Sequence, residues 1–276
     1  MSRWSGSSPT RPTSIPRRRS RSSWGTTTPP SKRADLDALR QRAAVAGIVL
    51  DFDGTLAEIV ARPELARPVD GARGALAALV ERYRTVAIVT GRRSDEVAAL
   101  IDLPHLAYVG LYGLEDGATE LVTAVVPRAE SAVAEVPEAW VEDKGVSVAV
   151  HYRQAPDPPS ARAALLVALQ PVATGAGLEL IEGKMVVELV PPDRPRKGGA
   201  VERLVGEHEL EAVLYAGDDH ADLDAFAALD RLSASQDVRV TVRVAVRGPE
   251  TPPAMVEAAD VVVEGPEGLV DLLRTL

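Results

Sequence analysis

Apolar runs and amphipathic stretches alternate along most of this chain. A short helix is expected over 35–46, followed by a strand from Gly47 to Asp51. Over 68–83, Val69, Leu76, Leu79, Val80 and Tyr83 recur at helical spacing. Val86-Ala87-Ile88-Val89 reads as a buried strand that ends at Thr90-Gly91-Arg92. A helix from Ser94 to Ile101 follows, with Ser94 or Asp95 as its N-terminal cap. Leu106 to Leu111 forms another short strand. Strands alternating with helices in this way predict a parallel sheet covered by helices.

The pattern changes in the middle of the chain. Val146 to Val150, Glu179 to Ile181 and Val186 to Leu189 are strand-like, and a helix is expected over 160–174 after a Pro-rich loop at 156–159. Two strand pairs and two helices in so short a segment suggest a small α+β unit. From Lys197 the alternation resumes. A helix covers 198–208, a strand Ala212 to Ala216, a helix Asp222 to Leu229, strands Val238 to Val246 and Val261 to Val263, and a last helix 266–275. The fold class read from this order is α/β. A Rossmann-like doubly wound parallel-sheet core, in residues 35–120 and 191–276, is interrupted by an α+β cap in 121–190. A basic tail, 1–34, precedes it.

Composition narrows the chemistry. The 276 residues include no Cys, which excludes disulfides, thiolate metal sites and Cys nucleophiles. The four His show no zinc-site spacing. No apolar run reaches membrane-spanning length, so no membrane partner is expected. The net charge of −9 is unevenly spread. Residues 1–33 hold eight basic residues and no acid, which leaves 23 basic against 40 acidic residues in the body. Such an acidic body is a poor partner for nucleic acid. The Ser-, Arg- and Pro-rich tail has no apolar periodicity and is expected to be disordered, as a transit peptide, a basic tail or an inert extension. It lacks the apolar core of a secretory signal. A cytoplasmic monomer is expected.

Ile48 to Leu56 carries the most specific signal. An apolar strand ends in Asp51 and Asp53, and Gly54-Thr55 follows. Two carboxylates on one face at a strand end need a cation or a shared proton. Mg²⁺, which prefers oxygen ligands and substrate phosphate, fits best. Three more stations fall where strands of the same sheet should end, and ligands of open α/β sheets bind at those ends. They are Thr90-Gly91-Arg92, Lys197-Gly198 and Gly217-Asp218-Asp219-x-x-Asp222. Their chemistry is complementary. Asp51 would attack phosphorus, and Asp53 would protonate the leaving oxygen and then activate water. Thr90 and Lys197 would hold the phosphoryl oxygens, and Arg92 would meet the phosphate or pair with a carboxylate. Asp218, with Asp219 or Asp222, would join Asp51 and Asp53 around the metal. Asp219 could instead orient Lys197.

The four motifs, in this order, resemble the haloacid dehalogenase superfamily. More closely, the chain resembles trehalose-6-phosphate phosphatases over residues 46–275. Beyond those motifs, the resemblance rests on Gly110-Leu111-Tyr112-Gly113-Leu114-Glu115, Glu142-Asp143-Lys144-Gly145, His151-Tyr152-Arg153 and Val187-Glu188-Leu189. It implies Mg²⁺-dependent hydrolysis of trehalose 6-phosphate to trehalose and phosphate. It also implies that Glu142, Lys144 and Glu188 bind the distal glucose, beside a phosphate site at Thr90, Gly91 and Arg92. Two positions depart from the family pattern. Leu111-Tyr112 stands where a polar pair such as Asn-His is usual, and Ala221 stands where Thr precedes the final Asp. Three alternatives stay open: a phosphatase for sucrose 6-phosphate or a glycosyl-phosphoglycerate, a phosphotransferase or mutase, and a non-catalytic sugar-phosphate sensor.

Overall fold

The computed structural model describes residues 30–113, 122, 124–192 and 196–276. It begins with helix α1 (Pro30–Gln41). Ten strands follow among the described residues: β1 (Ala46–Leu50), β2 (Thr85–Val89), β3 (Ala107–Val109), β4 (Trp140–Asp143), β5 (Val148–His151), β6 (Glu179–Gly183), β7 (Val186–Val190), β8 (Ala212–Gly217), β9 (Val240–Arg247) and β10 (Val261–Glu264). Between and after them run α2 (Ala72–Val80), α3 (Ser94–Ile101), α4 (Val126–Val133), α5 (Pro158–Ala176), α6 (Lys197–His208), α7 (His220–Ala234), α8 (Pro253–Ala258) and α9 (Gly265–Leu273).

Six strands form one sheet in the order β10-β9-β8-β1-β2-β3, parallel at every pairing. β1 and β2 are buried on both faces, which is why they read as unbroken apolar runs. Alternation along β1 splits the packing. Ile48 and Leu50 face a layer containing Leu76, Leu269 and Leu272. Val49 faces the other layer, with Val201, Leu204 and Phe226. The chain leaves β1 toward β2 and β3 on one side and returns through β8, β9 and β10 on the other. The crevice at such a reversal lies at the carboxyl ends of the strands. β4, β5, β7 and β6 form a second, antiparallel sheet. Its inner face, Val148, Val150, Val187 and Leu189, packs on Leu165 and Leu169 of α5 and on Ala129 and Val133 of α4. Among the described residues, no helix is long and apolar enough to cross a membrane.

Several boundaries differ from the sequence-based expectation. The first helix spans Pro30–Gln41 rather than 35–46, so it starts inside the stretch assigned to the tail. Residues 1–29 of that tail lie outside the described residues. The helix expected over 68–83 is confined to Ala72–Val80. Arg93, not Ser94 or Asp95, is the N-cap of α3. β4, α4 and α8 were not delimited by the periodicity. Leu114 and Glu115 of the Gly110–Glu115 motif lie outside the described residues.

Candidate active site

Asp51 stands one residue beyond β1, and its backbone N–H donates to Ala216 O of β8 at 2.9 Å. Its carboxylate is buried at 5% exposure. Lys197, the first residue of α6, is buried at 4% and bridges Asp51 Oδ1 at 2.8 Å and Asp222 Oδ1 at 2.6 Å. Burial works against this ammonium, but Asp222 and Asp51 outweigh it and hold its pKa well above the ordinary lysine value. Burial raises the Asp51 carboxyl well above its usual range, with Lys197 opposing.

Asp222 is fully enclosed and fully used. It accepts from Lys197, from the Tyr215 hydroxyl at 2.6 Å, and from the backbone N–H groups of Asp218 and Asp219 at 2.9 Å each. Burial would raise its carboxyl, yet these partners, Lys197 foremost, hold it below the usual range. Asp219 is the N-cap of α7 and accepts from Ala221 N at 2.5 Å, and Asp222 completes a reciprocal capping box. Asp222, not Asp219, therefore orients Lys197.

Asp218 is buried beside Gly54, whose φ of +81° is open to glycine and whose Cα approaches so closely that an added Cβ would lie 2.1 Å from Asp218 Oδ2. Thr55 Oγ1 donates to Asp218 Oδ1 at 3.4 Å. The Lys184 ammonium, from the turn between β6 and β7, donates to Oδ2. Burial pushes the Asp218 carboxyl up to about 7, against the pull of Lys184.

Carboxylate oxygens of Asp51, Asp218 and Asp222 lie within 4.8 Å of one another. The donor set is all oxygen, and a side-chain cation already sits on Asp218, so these residues fit a hard divalent ion. With Asp222 committed to Lys197, Tyr215 and two amides, Asp51 and Asp218 are the carboxylates best able to hold it. The side chains of Asp53 and Asp219, which the sequence also nominated as ligands, are not in this cluster. Asp219 is turned into its helix cap. Asp53 is held by Arg92, whose Nε and terminal nitrogen donate to its two oxygens at 2.6 and 2.7 Å. That guanidinium also donates to Pro63 O at 2.8 Å and lies over the Phe52 ring. Arg92 thus meets a carboxylate, the second of its two expected roles. Thr90 is buried at the end of β2, and its hydroxyl accepts from the Arg92 backbone N–H at 3.2 Å.

Across the crevice, the second sheet presents polar groups in register. Glu142 of β4 pairs with Ala149 of β5, and Ala149 pairs with Glu188 of β7. Both glutamates therefore lie on one face, opposite Val141, Val150 and Val187. Glu142 accepts from or shares a proton with His151 Nε2 at 2.7 Å, and His151 stacks on Trp140 with ring centroids 4.1 Å apart. Burial would raise Glu142, but His151, Lys144 and Arg92 together lower it. Glu188 accepts from Ser147 Oγ at 2.5 Å and pairs with Lys144 Nζ at 3.4 Å.

The cleft between the sheets is lined by Asp51, Asp53, Thr90, Gly91, Arg92, Glu142, Lys144, Lys197 and Asp219. Glu188 lines a small adjoining cavity with Ser147 and Tyr112. Sequence reasoning gave no site role to Lys184, Arg153 or Glu96, which also line the cleft. Arg153 belongs to the His151-Tyr152-Arg153 motif, and only the fold turns it toward Glu250, with distances of 2.5 and 3.0 Å.

The comparisons agree with this architecture. A family model described as Trehalose-phosphatase matches residues 49–252. A trehalose-phosphate phosphatase of Mycobacterium ulcerans is 34% identical over 201 residues, covering 66% of this chain and 51% of that protein. An uncharacterised glycosyl hydrolase of Mycobacterium tuberculosis is 36% identical over 204 residues, again 66% of this chain but only 15% of that protein. The chain thus spans about half the length of the mycobacterial phosphatases and a small part of the hydrolase. Among solved structures, the C-terminal domain of Candida albicans trehalose-6-phosphate phosphatase superposes with a TM-score of 0.74 at 21% identity, over 89% of this chain and 97% of that one, a likeness of fold. The expected α/β fold class is borne out. Since the family match runs from the strand that leads into Asp51 through the whole crevice and the second sheet, the chain belongs to the trehalose-phosphatase family.

Proposed function

We propose that this chain is a Mg²⁺-dependent phosphatase that hydrolyses trehalose 6-phosphate to trehalose and phosphate through an aspartyl-phosphate. The observation that carries this reading is the convergence of Asp51, Lys197, Asp218 and Thr90 at the carboxyl ends of β1, β2 and β8, under a sheet that presents Glu142, Lys144 and Glu188. Family membership supports the reaction class.

In the first step an Asp51 oxygen attacks phosphorus and the ester P–O bond breaks, while Asp53 gives a proton to the departing sugar oxygen. In the second step Asp53 takes a proton from water, the water oxygen attacks phosphorus, and the bond to Asp51 breaks to release phosphate. For the proton transfers Asp53 turns from Arg92 toward the leaving oxygen. Lys197 holds Asp51 in place and, with Thr90, faces the phosphoryl oxygens. Mg²⁺, held by Asp51 and Asp218, would supply charge stabilisation to the transferring group. Asp222 and Asp219 act behind this layer, by fixing Lys197 and the start of α7. Glu142, Lys144 and Glu188 offer mixed acceptors and a donor, which suits the hydroxyls of a distal glucose.

The test is phosphate release from trehalose 6-phosphate with and without Mg²⁺, beside sucrose 6-phosphate, glucose 6-phosphate and 4-nitrophenyl phosphate. Strong metal-dependent preference for trehalose 6-phosphate is expected. Activity on the aryl phosphate alone would keep the Asp51/Asp53 chemistry and remove the disaccharide assignment.

A further inference from the structure

Tyr112 occupies the seam between the two sheets. It lines both the main cleft and the small cavity behind it that holds Ser147 and Glu188. Its backbone and that of Leu111 are left-handed, with φ of 58° and 50°, a costly conformation for residues with a large side chain. The turn is tied to the phosphate-facing loop, because Tyr112 N donates to Thr90 O at 3.1 Å and Leu111 N donates to Arg92 O at 2.9 Å. Strain held in place this way tends to mark a functional position. The ring is also close to the reacting groups, with Lys197 Nζ 5.7 Å from its centroid. Its hydroxyl lies over Gly91, where an added Cβ would come 2.8 Å from the phenol oxygen. Gly91 is thus the residue that admits the phenol.

The acids around this crevice, Asp51, Asp53, Glu142, Glu188 and Asp222, are each paired. The Tyr112 hydroxyl makes no hydrogen bond to a described residue, although the side chain is half-buried. Burial also raises the phenol pKa, so the group keeps its proton and remains a donor. A donor with no partner among the described residues, beside Gly91 and on a side chain that lines both cavities, is suited to an oxygen brought by a ligand.

We infer that Tyr112 is a specificity-determining residue whose hydroxyl donates a hydrogen bond to a sugar oxygen of the substrate, at the junction between its phosphate and its distal ring. This rests on the phosphatase reading above and adds a contact from the core side of the cleft to those offered by Glu142, Lys144 and Glu188. The ring itself, through Lys197, is a separate contribution that phenylalanine would retain.

The experiment is Tyr112→Phe in the full chain, first checked for an unchanged unfolding temperature. One lost hydrogen bond to a ligand corresponds to a change of about five- to tenfold. The expected result is a KM for trehalose 6-phosphate raised about five- to tenfold, kcat within about twofold, and a smaller change for 4-nitrophenyl phosphate, which lacks the sugar. Unchanged KM, a fall in kcat alone, or an equal loss on both substrates would overturn the assignment. If the unaltered chain released no phosphate from trehalose 6-phosphate, the phosphatase reading would fail by itself. Calorimetric binding of trehalose 6-phosphate would then decide Tyr112. Affinity five- to tenfold weaker for the Phe variant supports it, and equal or absent binding in both proteins overturns it.

Discussion

Lys197 neutralises two buried carboxylates at once, so its loss should be felt in stability as well as in chemistry. Lys197→Met leaves Asp51 and Asp222 together without their cation. Removing one partner of a buried pair costs about 3–5 kcal/mol, which for a chain of this size lowers Tm by roughly 10 °C. Thermal scanning checks this, and an unchanged Tm would mean that the carboxylates take up a proton instead. Asp218 supplies a second prediction. Its carboxyl, raised to about 7, binds a proton in the folded chain at pH values where the unfolded chain has lost it. The folded state binds more protons between about pH 4 and pH 7, so this group's contribution to stability declines as pH rises through that window. A bound Mg²⁺ would replace the proton. Addition of Mg²⁺ should therefore raise Tm more at pH 8 than at pH 6, and equal shifts would remove Asp218 from the metal site. The grouping of these side chains was legible in the sequence, because Asp51, Thr90, Lys197 and Asp218 each follow or precede a recognisable strand or helix end. The choice between Asp219 and Asp222 was not. Both sit on one turn, and only the capping box determines which faces the helix and which faces Lys197.

Among elements, the β4–β5–β7 row shows what periodicity can and cannot carry. β5 and β7 read as strands because Val148 and Val150, and Val187 and Leu189, alternate toward α5. β4 was not delimited because half of it is Glu142 and Asp143, residue types depleted in strands. It forms because Trp140 and Val141 pair with His151 and Val150 of β5. The register then places Glu142 and Glu188 on either side of Ala149, a residue small enough to leave room between them. Glu188→Ala removes the acceptor of both Lys144 and Ser147. We expect kcat/KM for trehalose 6-phosphate to fall at least tenfold, and more than for 4-nitrophenyl phosphate. Steady-state kinetics on the two substrates reads this, and equal losses would dissociate the second sheet from sugar recognition. The α/β alternation of the core was legible for the opposite reason. β1, β2 and β8 are buried on both faces and carry no polar residue that would disguise them, apart from Thr85 and Tyr215.

At the scale of the whole molecule, two ion pairs clasp the second sheet to the first: Arg153 with Glu250, and Lys184 with Asp218. The cleft they close encloses about 200 Å³. Sites for drug-sized ligands run to roughly 300–1,000 Å³, so a phosphorylated disaccharide would require the sheets to part. Glu250→Gln weakens one clasp. Hydrogen exchange is expected to speed up around Arg153 and Lys184 while β1 stays protected, and unchanged exchange at both would show that Arg153 and Glu250 do not restrain the sheet. The sheet order has a consequence of another kind. β1 pairs with β8 along its whole length, yet 166 positions separate Leu50 from its register partner Ala216. A ribosome making this protein releases Asp51 long before Lys197, Asp218 or Asp222 exist. Until β8 emerges, the nascent chain carries β1 with one open edge of unpaired amides and carbonyls, a template for pairing with the wrong strand. The order of synthesis therefore makes Asp51 well before the residues that come to house it.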